Sequence, residues 1–130
     1  MKVVLDTNIV VSAFLSPAGK PAIILKLVLE NIVELCFNTA VLAEYEQVLC
    51  RPKFAGKFYK PEVERFFEII YDIGTDITVV PSNIKMPDSS DRVFYDTAKA
   101  SGAILITGNT KHYPQDESFI MTPAQFLASL

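Results

Sequence analysis

The sequence predicts an α/β fold, a three-layer arrangement in which helices cover a parallel sheet of about five strands. Three observations lead there. Short apolar runs of strand length alternate with longer stretches of helical spacing, the pattern of successive strand–helix units. Glycines and prolines fall at the junctions between them. No repeat, low-complexity tract or long linker interrupts the 130 residues, so residues 1–130 read as a single domain.

The elements follow in order. Val3, Val4 and Leu5 form an interior strand over 2–6, and Thr7 or Asn8 caps a short helix. The cluster 16–21 is a turn, and Pro21 starts a helix running to about Glu30. Residues 32–37 are the second strand, and Asn38 or Thr39 caps a helix over 40–50 that Arg51-Pro52 ends. A helix over 61–73 stops at Gly74, and a third strand spans 76–80. A polar loop leads to a helix from about Ser90 to Ser101, stopped by Gly102. Strands at 103–107 and 118–121 follow, and Thr122-Pro123 opens the last helix.

Bulk properties narrow the function classes. Half of the residues are hydrophobic, enough for a packed core and against disorder. The apolar runs near Ile23 and Val41 are too short to span a bilayer, and no signal-peptide pattern opens the chain, so the expectation is a cytoplasmic protein without a membrane partner. Cys36 and Cys50 lack zinc or disulfide spacing and read as reduced packing residues. One histidine, His112, excludes a His-rich metal site, and no GxSxG elbow supports a serine triad. A net charge of −3 argues against broad nonspecific DNA binding.

Asp6 closes a buried strand, where open α/β sheets place their ligand crevice. An uncompensated carboxylate there is costly, so a metal, a base or backbone N–H groups must face it. Glu44 flanks the apolar stripe Val41, Tyr45, Val48 and Leu49 of its helix, and either looks into the cleft or snorkels to solvent. Asp91 shares the inward face of Phe94, Tyr95 and Ala98, unless Asp88 and Asp91 form a helix-capping pair. Asn109 follows a second buried strand and is both a turn residue and a candidate for the same crevice. Hard divalent cations such as Mg²⁺ or Mn²⁺ prefer such oxygen ligands, which points to metal-assisted phosphodiester hydrolysis.

These residues resemble a known family. VLDTNIVVSA at 4–13, RPKF at 51–54, PDSSDRVF at 87–94, ILITGN at 104–109 and IMTPAQFL at 120–127 are similar to PIN-domain proteins, in particular the VapC-like toxin components of toxin–antitoxin systems. The resemblance implies a parallel five-stranded sheet between helices and a metal-dependent nuclease acting usually on RNA. By matching position, it makes Asp6, Glu44 and Asp91 the metal-binding acids, with Asp88 a neighbouring acid and Thr7, Asn8 and Thr107 supporting groups. It also implies an antitoxin partner and a homodimer. One departure stands out: the fourth acidic position is Asn109, which keeps a carbonyl oxygen but removes a charge.

From Gln47 to Pro61 there is no acidic residue, while Arg51, Lys53, Lys57 and Lys60 interleave with Phe54, Phe58 and Tyr59. Cations that track phosphates and rings that stack on bases would make this a single-strand RNA contact. The competing reading is a loop whose aromatics pack inward and whose lysines are solvated. His112 and Tyr113 follow Asn109, and His112 reads as a surface histidine before it reads as a phosphate contact. Two other functions compete with the nuclease. One is a catalytically weak RNA-binding or interaction module, favoured by Asn109. The other is a haloacid-dehalogenase-type phosphatase, disfavoured because Asn8 stands where that chemistry needs a second Asp.

Overall fold

The computed structural model describes all 130 residues. Five strands run parallel in the order β3-β2-β1-β4-β5: β1 (Lys2–Leu5), β2 (Glu34–Phe37), β3 (Thr75–Asp76), β4 (Ile104–Ile106) and β5 (Ile120–Met121). Six helices connect and cover them: α1 (Thr7–Leu15), α2 (Lys20–Leu29), α3 (Thr39–Leu49), α4 (Lys60–Ile73), α5 (Arg92–Ser101) and α6 (Pro123–Ala128). The predicted fold class is the observed one. None of the helices is by itself long and apolar enough to cross a membrane.

The strand order places the site. From β1 the chain steps outward through β2 to β3, then crosses back to β4 and continues to β5. The order therefore reverses between β1 and β4, the switch point at which open parallel sheets form a crevice beyond their carboxyl ends. Leu5 pairs with Ile106 in register, so the next residues, Asp6 and Thr107, leave the sheet side by side. The Asp6 N–H still bonds the Ile106 carbonyl at 3.0 Å, which extends the ladder to the edge of the site.

The core lies around the two central strands. Val3, Val4, Leu5, Leu105 and Ile106 are fully buried, as expected for strands covered on both faces. Tyr45 of α3 stacks on Phe94 of α5 at 6.2 Å, and its hydroxyl donates to the Leu5 carbonyl at 2.6 Å. That bond satisfies a phenol with no exposed surface and ties α3 to the end of β1.

Local capping follows the sequence with a few corrections. The N-cap of α1 is Asp6, not Thr7 or Asn8. Asn38 caps α3 through the Val41 N–H, and Thr122 with Gln125 forms a full capping box on α6. Gly102 ends α5 in the left-handed region at φ 71°, where a side chain would be strained. The predicted third strand shrinks from 76–80 to Thr75–Asp76. Its partner strand ends when Asn38 turns into α3, so after the Ile77 N–H bonds Phe37 no strand remains to pair with. The predicted helix from Ser90 is a 3-10 turn over Ser89–Asp91 followed by α5. Cys36 is packed as expected, whereas Cys50 is exposed at the end of α3; both are free thiols.

Candidate active site at the sheet switch point

Asp6 is 4 % exposed and Asp91 9 %, and the charge of Asp6 makes ionisation of Asp91 more costly. The Asp6 carboxylate is held on one side. Its Oδ2 accepts from the Thr107 hydroxyl and the Tyr113 hydroxyl, both at 2.8 Å. Its Oδ1 receives only the Asn8 N–H, at 3.5 Å, long for such a bond.

Asp91 differs. Its Oδ2 is buried without a hydrogen-bond partner. The His112 Nδ1 stands 3.4 Å away, close enough for attraction but too far for a good hydrogen bond. Burial first, then the charges of Asp6 and Asp88, push the Asp91 carboxyl up to about 6, while His112 pulls the other way. Apart from that long contact to His112, the buried carboxylate faces another acid and has an oxygen without a hydrogen-bond partner.

Asp88 is exposed and caps the 3-10 turn, accepting from the Ser90 N–H at 3.0 Å and the Ser90 hydroxyl at 2.7 Å. Those bonds hold its carboxyl below the usual carboxylate range. The capping alternative thus applies to Asp88 and not to Asp91, whose side chain makes no capping bond. Capping by Asp88 leaves Asp91 free for the crevice.

The remaining candidates divide. Thr107 is fully buried and bonded to Asp6. Asn8 bridges the two strand ends, its Oδ1 accepting the Gly108 N–H at 3.2 Å. Thr7 is buried with its hydroxyl unpartnered. Asn109 is exposed; its N–H bonds the Thr107 hydroxyl at 3.0 Å, and its side chain makes no hydrogen bond. Glu44 is half-buried on α3 and makes no ion pair. No three His, Cys, Asp or Glu side chains are gathered closely enough to hold a metal ion together, so Glu44 does not join Asp6 and Asp91 as a third ligand in this arrangement.

Arg51, Lys53, Lys57 and Lys60 are all exposed. The aromatics between them correct the stacking expectation. Phe54 and Phe58 pack on each other at 5.1 Å, and Phe58 packs edge-on against Phe14 of α1 at 6.0 Å. Only Tyr59 remains largely exposed. Lys53 lies over the Phe54 ring at 5.1 Å. The segment is therefore a packed loop with solvated cations.

Sequence reasoning missed Tyr113, which is 3 % exposed, and left His112 as a surface residue. His112 is indeed half-exposed, yet it faces Asp91. The one available signal was an aromatic in an otherwise polar stretch: a buried tyrosine must find a partner for its hydroxyl.

The molecule is thus a doubly wound parallel α/β protein with a buried pair of carboxylates at its switch point. The chain belongs to the PIN-domain family, whose model matches residues 2–111. It is similar to the uncharacterized protein MJ1680 of Methanocaldococcus jannaschii, with 30% identity over 112 residues, 84% of this chain and 71% of that one. It also shares its fold with a chain in the crystal structure of VapBC2 from Rickettsia felis bound to a DNA fragment from their promoter. That match has a TM-score of 0.59 and 19% identity, and covers 94% of this chain and 97% of the other.

Proposed function

We propose that this protein is a metal-dependent endoribonuclease, the toxin of a toxin–antitoxin pair, working in the cytoplasm. The observation that carries the nuclease reading is the pair Asp6 and Asp91, buried at the switch point with an unpartnered Asp91 oxygen. Membership of the PIN-domain family supports it. The toxin reading rests on the resemblance to the toxin branch and is supported by the likeness in fold to VapBC2. An antitoxin protein and a second copy of the chain are the partners this reading implies.

The residues fit a hard divalent cation. Asp6 and Asp91 would hold Mg²⁺ or Mn²⁺, with Glu44 and the Asn109 carbonyl reaching it through water. Such an ion supplies charge neutralisation for an attacked phosphodiester and a more acidic water. The protein does the rest. Thr107 and Tyr113 orient Asp6, Asn8 locks the two strand ends together, and His112 stands beside Asp91. Arg51, Lys53, Lys57 and Lys60 attract the RNA backbone.

A second reading, a catalytically weak RNA-binding module, is favoured by the neutral, exposed Asn109 and by the absence of a three-acid cluster. An RNA cleavage assay with Mg²⁺ or Mn²⁺ separates the two. Wild type should cleave only with metal, and D6N and D91N should each lose at least about 100-fold, in line with removal of a charged group that acts on the transition state. Metal-independent cleavage, or equal rates in all three proteins, rejects the nuclease mechanism.

A further inference from the structure

Two short O–H donors converge on one oxygen of Asp6, and none on the other. A carboxylate oxygen offers about two lone-pair directions, so hydroxyls at 2.8 Å from Thr107 and Tyr113 fill those of Oδ2. Oδ1 is left with one long contact, the Asn8 N–H. We propose that Tyr113 is a positioning residue which, together with Thr107, occupies Oδ2 of Asp6 so that this carboxylate presents Oδ1 alone to a divalent cation. The proposal rests on the metal-dependent reading above and names how its first ligand is aimed.

The segment that delivers Tyr113 is built for rigidity. Thr110–His112 forms a 3-10 turn, closed by bonds from the His112 N–H to Asn109 and from the Tyr113 N–H to Thr110. The Gln115 amide clamps the Thr110 and Tyr113 carbonyls at 2.9 and 2.8 Å. The phenol is thereby carried inward, buried, onto the Asp6 carboxylate. The same segment carries Asn109, whose side chain is exposed and unbonded. With no acid there to share a cation, the site depends more heavily on a fixed Asp6. Partners that hold a metal-binding carboxylate are typically worth about 10–100-fold in metal affinity or activity.

The test is Mn²⁺ binding by electron paramagnetic resonance without RNA, on wild type, Y113F and D6N, beside metal-free thermal melts. Y113F keeps the ring and removes only the donor. The expected result is a roughly tenfold weaker Mn²⁺ affinity in Y113F, beside a lowered metal-free melting temperature from the loss of a buried hydrogen bond to a charged group. A purely structural tyrosine predicts the lowered melting temperature with unchanged Mn²⁺ affinity. An affinity within about twofold of wild type, while D6N has lost binding, overturns the role of Tyr113 alone. If wild type binds no Mn²⁺, or D6N binds as tightly as wild type, the metal reading falls and this proposal with it. Should Y113F fail to fold, T107V removes the other donor from the same oxygen and carries the same two outcomes.

Discussion

The Tyr113 hydroxyl reaches the Asp6 carboxylate at 2.8 Å across 107 positions of sequence. That bond joins the first strand end of the chain to the loop beyond the fourth, and it closes one side of the candidate site. On the other side, the Asp91 Oδ2 is buried without a hydrogen-bond partner. The contrast between a tethered and an untethered carboxylate organises the behaviour expected of the site.

Asp91 makes metal-free stability depend on pH. Its carboxyl is raised to about 6 in the folded protein, against about 3.9 in an unfolded chain. Between these values the folded state holds the proton that the unfolded state has released, so stability falls as pH rises from about 4 to about 6. The cost at neutral pH is about 1–3 kcal/mol. D91N should therefore melt a few degrees higher than wild type at pH 7.5 without metal, and the difference should vanish at pH 4. Added Mn²⁺ should stabilise wild type and leave D91N unchanged. Calorimetric scans across this pH range measure both effects.

On the metal-dependent reading, the neutral Asn109 limits how tightly a cation is held. Its side chain is exposed and free of hydrogen bonds, so N109D should fold as wild type does. An added charge close to a cation in a partly screened site strengthens binding by about 1 kcal/mol, or roughly fivefold. Titration of Mn²⁺ should show that gain, with faster RNA cleavage at limiting metal. Unchanged affinity would mean that the Asn109 side chain stays in solvent when metal binds.

Tyr45 tests the scaffold apart from the chemistry. Its buried hydroxyl donates to the Leu5 carbonyl, and Y45F should cost about 1–2 kcal/mol in urea unfolding. Leu5 immediately precedes Asp6, so cleavage at saturating metal should fall less than in D6N. A loss equal to that of D6N would place Tyr45 in the chemistry.

The cations of the loop after α3 are exposed, and Lys53 and Lys57 emerge from a packed aromatic cluster. K53E/K57E should weaken RNA binding and flatten its salt dependence by about two in slope. Y59A should change affinity little beyond the loss of one stacking ring, because Phe54 and Phe58 are packed inward. Binding and salt slope equal to wild type would remove this loop from the RNA path.

Much of the fold was legible because its signals are local. The apolar runs at Val3–Leu5 and Leu105–Ile106, Pro21 near the start of a helix and Gly102 after another each state their own conformation. Strand length at the sheet edge was not legible. Whether 77–80 is a strand depends on the next strand continuing beside it, and Asn38 turns that strand away. The site was legible in part for the same reason. Asp6 and Asp91 stand out by position within their elements, whereas Glu44 matched a family pattern that this side-chain arrangement does not gather into a cluster.

The sequence alone determined the alternation of strands and helices and the strand-end carboxylate, because each is a matter of neighbours along the chain; that Asn109 stands in place of an acid came from the resemblance to the family. Only the tertiary structure decided which groups face those acids. The register of β1 on β4 sets Asp6 beside Thr107, a rigid turn carries Tyr113 to the same oxygen, and Asp88 takes the capping role that leaves Asp91 free. Hydrogen bonds and charge interactions between residues some hundred positions apart act over a few ångströms, so they arise only when the fold brings those residues together.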